Sequence, residues 1–281
     1  MPLVYACIAP HGSEAIEQLA SKAAAKKFQK TRDGLLRLAS DVGKASPDTI
    51  VIATPHNLRL RGKIGIVLSE NSTGTLQASP RNKKTVTLKA KCDVKFAQKL
   101  LDRSARKHLP VVGANYGTTE GITSDMPMDW GTLVPLWFLM ARCRKRPRIV
   151  IVTPSREIPL SRNFEFGRLV AEQAEAERGK RVVFVASADQ AHAHKLAGPY
   201  GFSREAKNYD RRVLDALMNN RLHTVMSFER ALVEAAKPDS LWQMAILAGI
   251  ADKVKLRAEI VSYNVPTYFG MICASFQRVR C

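Results

Sequence analysis

The sequence has no Cys-x-x-Cys pair, no Gly-x-Ser-x-Gly turn and no long apolar run, and each absence removes a class of function. Its five cysteines (Cys7, Cys92, Cys143, Cys273 and Cys281) are scattered, which argues against a zinc ribbon and against a disulfide scaffold. Cys7 and Cys273 stand in apolar, strand-like runs and are expected to be small buried hydrophobes. The longest apolar segment, residues 133–141, falls well short of the roughly 18 residues of a membrane helix. The opening MPLVYACIAPHG lacks a basic leader and runs straight into an expected core strand, so the cytoplasm is the expected compartment. With no Ser/Gly-rich linker and no internal repeat, one domain over residues 1–281 is expected. Ser187 near His192 makes only a weak hydrolase, because the nucleophile turn is missing.

Acidic residues are scarce relative to basic ones: 25 Asp and Glu face 44 Lys and Arg, a formal charge of +19. Such an excess suits a solvated basic surface, an acidic partner, nucleic acid or an anionic small substrate. The basic residues come in short clusters (KKFQK at 26–30, RNKK at 81–84, RCRKRPR at 142–148) with no interleaved aromatics. A groove that stacks single-stranded bases needs those aromatics, so charge alone speaks for a nucleic-acid partner.

Apolar β-branched runs alternate with helical periodicity. Strands are expected at residues 3–9, 49–54, 63–68, 85–91, 148–153, 181–186, 255–263 and 267–274. Helices are expected at 13–39, 94–107, 163–177, 206–219, 227–236 and 240–248. The alternation predicts an α/β fold with a central β-sheet flanked by helices. Residues 63–91 read as a β-meander and the last two strands as a hairpin broken at 264–266, so the sheet is expected to be mixed.

In such sheets ligands gather beyond the carboxyl ends of the strands. Three strands end there in histidine-bearing segments: Ala9-Pro10-His11-Gly12, Thr54-Pro55-His56-Asn57, and Ser187 through His194 with His192 and His194. Proline restricts the backbone just before His11 and His56, and a strand end fixes where each imidazole points. Neutral imidazoles suit Fe, Zn, Cu or Ni. Two of them with one carboxylate leave open positions, the facial arrangement of non-haem Fe(II) oxygenases.

Seven segments then occur in order: IAPHG (8–12), ATPHN (53–57), DWGTLVPLWFL (129–139), VASADQAHAH (185–194), GPYGFSREAKNYD (198–210), PDSLWQMAILAG (238–249) and SYNVPTYFGM (262–271). Together they resemble the catalytic subunit of class III extradiol ring-cleavage dioxygenases, the family of protocatechuate 4,5-dioxygenase. The resemblance implies Fe(II) held by His11, His56 and a carboxylate from the segment Lys237-Pro238-Asp239-Ser240. Asp239 is assigned there in place of the family's glutamate, with Glu234 and Glu229 as fallbacks and a helix N-cap as its ordinary role. His192 matches the active-site histidine that takes and returns a proton. Some relatives carry another histidine in an Asp-His-Gly context; here Asp129-Trp130-Gly131 stands, so that role is absent or filled by His194.

The resemblance further implies an aromatic diol or aminophenol and O2 as substrates, opening of the ring beside the diol, and a homodimer, in some relatives with a small second subunit. Two other functions stay open at this point: a non-catalytic metal-binding or interaction protein of the same fold, and a basic nucleic-acid-binding protein. Asn264 either lines the pocket or makes its turn, and His108 and His223 are read as structural.

Overall fold

The computed structural model describes residues 2–79 and 83–279. Residues 81–82 of the RNKK cluster and Cys281 lie outside them. In chain order the elements are β1 (Leu3–Ala9), α1 (Lys22–Lys27), α2 (Gln29–Ala45), β2 (Thr49–Ala53), β3 (Ile64–Val67), β4 (Asn71–Gln77), β5 (Thr85–Lys91) and α3 (Val94–Arg106). There follow β6 (Val111–Ala114), β7 (Asp125–Pro127), α4 (Trp130–Ala141), β8 (Arg148–Thr153), α5 (Leu160–Ala176) and β9 (Val182–Ser187). The chain ends with α6 (Arg204–Met218), α7 (Arg230–Ala236), α8 (Leu241–Lys253), β10 (Leu256–Asn264) and β11 (Met271–Arg278).

Eight strands form one mixed sheet in the order β10-β11-β1-β9-β2-β8-β3-β6. Its centre, β1-β9-β2-β8, is parallel. Those strands are continuous apolar runs because both faces are covered. Ala6, Ile8, Val51, Val150 and Phe184 pack on one side with α3 and α5 to α8; Cys7, Ile50, Ile52, Ile151 and Val185 pack on the other with α2 and α4. Parallel pairing places the carboxyl ends of these four strands side by side. The α/β class and the mixed sheet are as expected from the sequence, and so is the burial of Cys7 and Cys273.

Several boundaries differ from expectation. Residues 13–39 are not one helix: two single 3-10 turns, Ser13–Ala15 and Glu17–Leu19, precede α1 and α2. Ser21 caps α1 by accepting from Ala24 N–H, and the fully buried Phe28 separates α1 from α2. Arg32 holds the first turn back by donating to the Ala15 carbonyl at 2.9 Å. Residues 63–91 are not a meander. Strand β3 joins the main sheet, antiparallel to β8 and parallel to β6, whereas β4 and β5 form a hairpin in a second sheet with β7.

The apolar stretch at 133–141 is helix α4, capped by Asp129, whose Oδ1 accepts from Thr132 N–H at 3.1 Å. It is buried nearly all round and so shows no amphipathic stripe to read. The last strand starts at Met271 rather than 267, because the residues before it close the site loop: Gly270 N–H donates to Ala191 and Gln190 N–H donates back to Gly270. Helices α5 and α8 touch through backbone at two glycines. A Cβ on Gly167 would overlap the Ile246 carbonyl, and one on Gly249 the Phe164 carbonyl. No helix among the described residues is long and apolar enough to cross a membrane.

Candidate metal centre

Three neighbouring parallel strands deliver the site. Strand β1 ends in His11, β9 in Ser187 and Asp189, and β2 in His56; Asp239 arrives just before α8. One nitrogen of His11, one of His56 and one Asp239 oxygen all lie within 4.8 Å of one another. The Asp239 Oδ2 atom is the point of convergence. It stands 3.2 Å from His11 Nε2, 3.7 Å from His56 Nε2 and 3.9 Å from His192 Nε2.

The spacing suits a shared ion. Donors at bonds of roughly 2.1 Å lie about 3.0 Å apart along an octahedral edge and about 3.4 Å apart along a tetrahedral one. The contacts from Asp239 to His11 and His56 fall close to these values, so the three residues fit a divalent metal without selecting which one.

The surroundings fix the tautomers. Ser187 Oγ has one proton, and at 2.5 Å it donates to the Gly131 carbonyl. The same oxygen therefore accepts from His11 Nδ1–H at 3.0 Å, so Nε2 is the nitrogen that faces Asp239 and would ligate a metal. His192 Nδ1 donates to the Gln190 carbonyl at 2.8 Å, which again turns a bare Nε2 inward. His56 is positioned differently. Its backbone N–H donates to Thr54 Oγ1 at 3.3 Å, that hydroxyl donates to Asp129 Oδ2 at 3.2 Å, and Trp130 lies against the imidazole with centroids 4.1 Å apart.

Asp239 is not a helix cap. Ser240 occupies the cap position of α8, while Asp239 Oδ1 accepts from Asp189 N–H at 3.1 Å and Oδ2 faces the histidines. Glu229 pairs with Arg212 and Glu234 with Arg230, so neither fallback carboxylate joins the cluster.

Asp189 was missed by sequence reasoning. Its Oδ2 lies 3.4 Å from His11 Nε2 and its Oδ1 accepts from His11 N–H at 2.9 Å. The available signal was its position, three residues before His192 at the end of a third parallel strand. His194 turns away from the cluster. Its Nε2 is 2.8 Å from Asp210 Oδ2, which also accepts from Tyr263 O–H at 2.8 Å, while Asp210 Oδ1 accepts from Ala191 N–H. Asn264 donates to the Lys27 carbonyl and makes its turn.

Charges in the metal-free cluster are strongly coupled. Burial drives His11 down, but Asp189 and Asp239 outweigh it and hold its pKa up at about 9. Burial and the charge on His11 push His56 down to about 3. Burial raises Asp189 to about 6, whereas for Asp239 the cationic His11 and its hydrogen bond overcome burial and lower it. One cation amid two carboxylates is the charge a bound divalent ion would replace.

The cluster lies in a cavity of about 1330 Å³. His192 stacks on Phe269 with centroids 5.2 Å apart, and Tyr200 and Tyr268 extend this aromatic wall. Arg59, Arg156 and Lys237 also line the cavity. The space is large enough for a substituted aromatic ring.

Residues 5–273 match the family model described as the catalytic LigB subunit of aromatic ring-opening dioxygenase. Protein CA_C1420 of Clostridium acetobutylicum is 26% identical over 243 residues, 85% of this chain and 50% of that protein, so the chain spans half the length of this curated relative. The crystal structure of the uncharacterized protein JW3007 from Escherichia coli K12 aligns with a TM-score of 0.58 at 15% identity, covering 97% of this chain and 99% of that one; this likeness bears on the fold alone.

Proposed function

The chain belongs to the family of catalytic LigB subunits of aromatic ring-opening dioxygenases, and on that premise we propose that it opens catechol-type rings beside the diol, with O2 and Fe(II). The observation that carries the reading is the convergence of His11, His56 and Asp239 at one point of an aromatic-walled cavity. His11, His56 and Asp239 would hold the ion, and so small a set of protein ligands would leave it accessible to substrate. Bound there, Fe(II) supplies a template and an electron conduit between two molecules that react slowly without it.

The protein's own groups account for the rest. The aromatic wall of Tyr200, Tyr268 and Phe269 orients the ring. His192 Nε2 faces the cluster, placed to take a phenolic proton and return it. His194 serves through Asp210, which anchors the loop bearing His192. Trp130 occupies the place of the second family histidine and covers His56. A homodimer, with or without a small second subunit, belongs to the same reading.

The test is product analysis after anaerobic Fe(II) loading, with catechol, 3,4-dihydroxybenzoate, 2-aminophenol and larger catechols under isotopically labelled O2. Both oxygen atoms should enter a product opened beside the diol. Cleavage between the hydroxyls, or no product from any ring, overturns the assignment.

A further inference from the structure

The end of the sheet opposite the metal cluster gathers charge that the ring-opening reading does not use. Strands β8, β2 and β9 begin there, side by side and parallel. The RCRKRPR loop leads into β8, the C-terminal turn of α2 leads into β2, and residues 178–181 lead into β9. Backbone bonds tie the three together. Arg148 N–H donates to the Asp48 carbonyl at 2.9 Å, and Asp48 N–H donates to the Arg181 carbonyl at 2.8 Å. A Cβ on Gly43 of α2 would overlap the Arg142 carbonyl, so α2 and the loop touch. One exposed face thus carries Lys44, Arg142, Arg144, Lys145, Arg146 and Arg181.

The acidic residues of this end are outnumbered and turned inward. Asp48 Oδ2 accepts from Arg181 N–H at 2.9 Å, and Asp93 is buried against Thr49 and Lys180. Lys44 and Lys145 come no closer than 3.8 Å to Asp41 and Asp48, and their side chains are 76% and 87% exposed, so these pairs hold weakly in water. Arg142, Arg144 and Arg146 form no hydrogen bond and no ion pair among the described residues. Arg181 Nε donates to the Ala45 carbonyl at 2.7 Å, which fixes its guanidinium at the surface. The starts of β8 and β9 are two strand spacings apart, about 10 Å. That is about one Debye length at ordinary salt, so the cations act as one field.

The kind of polyanion follows from what the face lacks. No large exposed apolar side chain falls on residues 142–148 or 178–181, so nothing there inserts into a membrane or anchors a protein partner. No aromatic residue stands in either segment to stack an unpaired base. Arginine outnumbers lysine on the face, and its guanidinium fork matches a phosphate group. We propose that this end of the protein docks on the phosphate backbone of duplex nucleic acid, without reading its sequence. Phosphate contacts position a duplex and carry no base information. The metal cavity, at the far end of the same strands, stays open while the duplex is held. Docking here needs neither the metal nor the ring.

The test is fluorescence anisotropy of a short labelled DNA duplex of arbitrary sequence, titrated with the full chain between about 50 and 200 mM salt. Phosphate contacts from Lys44, Arg142, Arg144, Lys145 and Arg146 give a slope of about −4.5 in log affinity against log salt, a fall of about 500-fold over that range. The Arg142→Gln/Arg144→Gln/Arg146→Gln chain should keep a slope of about −1.8 and fall about tenfold. A control chain, Lys26→Gln/Lys27→Gln/Lys30→Gln, loses the same charge near the start of α2, about 20 Å from Lys44. It should bind as the unaltered chain does. Where a triple variant melts early by circular dichroism, its single substitutions serve instead, each arginine lowering the slope by about 0.9. No duplex binding at about 50 mM salt, or equal weakening in the two triple variants, overturns the proposal. So does tighter binding of the corresponding single strand, or binding to phosphatidylserine–phosphatidylcholine vesicles in place of the duplex. Displacement by polyglutamate as readily as by unlabelled duplex overturns it too.

Discussion

Replacing Ser187 by alanine should weaken metal binding without touching a ligand. In the native site the Ser187 hydroxyl spends its proton on the Gly131 carbonyl and offers its lone pair to His11 Nδ1–H. Alanine leaves that N–H unpaired on an imidazole only 2% exposed, a cost of about 1–3 kcal/mol. In the metal-free site the cationic ring already presents a second N–H, on Nε2, to Asp239 across the 3.2 Å contact. Metal uptake has to displace the Nε2 proton and keep the one on Nδ1, and without the Ser187 acceptor the form that ligates a metal is the one left with an unpaired N–H. Loss of such a supporting partner typically weakens metal binding by about 10- to 100-fold, or about 1.4–2.7 kcal/mol. The assay is anaerobic competition against a chromogenic chelator, with Fe(II) and Zn(II), on chains shown by circular dichroism to be folded. Affinity within twofold of the unaltered chain would refute the tautomer argument. So would an equal loss for a hydroxyl-retaining Ser187→Thr variant that folds normally.

Other expectations follow from single contacts. His192→Ala should keep its metal and lose about 10²- to 10⁴-fold in turnover, read from metal content and oxygen consumption on the same sample; near-normal consumption removes His192 from the chemistry. Asp93 caps α3 and takes hydrogen bonds from Thr49 and Lys180; burial raises its pKa, but Lys180 and Thr49 prevail and lower it. A carboxylate lowered on folding stabilises above the ordinary aspartate range and loses that contribution as pH falls through its folded value. Asp93→Asn should therefore cost about 1.5–3 kcal/mol at pH 7, with the gap closing below about pH 4; a gap independent of pH in urea unfolding contradicts this. Gly249→Ala should cost about 1–3 kcal/mol, because the new Cβ meets the Phe164 carbonyl of α5, and an unchanged melting temperature would contradict the close helix contact.

The sequence made the core and half the site legible for physical reasons. Strands β1 and β8 are apolar runs of strand length with sharp ends, and their limits are the expected ones. His11 and His56 stood out because each follows a proline at a strand end, and the parallel sheet brings those ends together. The third candidate ligand was legible only through the resemblance, since Asp239 stands just before a helix, where an N-cap is the ordinary reading. Asp189 and Arg156 were hidden by topology. Nothing in the order of the chain says that β9 lies between β1 and β2, or that β8 lies beyond β2, yet those adjacencies put both side chains in the cavity. Helix α4 was hidden by its own burial. The break in residues 13–39 depends on Arg32 reaching back to Ala15, a long-range bond that local periodicity does not carry.

The most direct test is an oxygen-electrode titration in which Fe(II) is added anaerobically to the chain before a saturating catechol. The rate should rise to a break at about one iron per chain and stay at the buffer level for His11→Ala and His56→Ala. A rate that is flat in the unaltered chain, or that rises equally in either variant, contradicts a ring-opening metal centre on these residues.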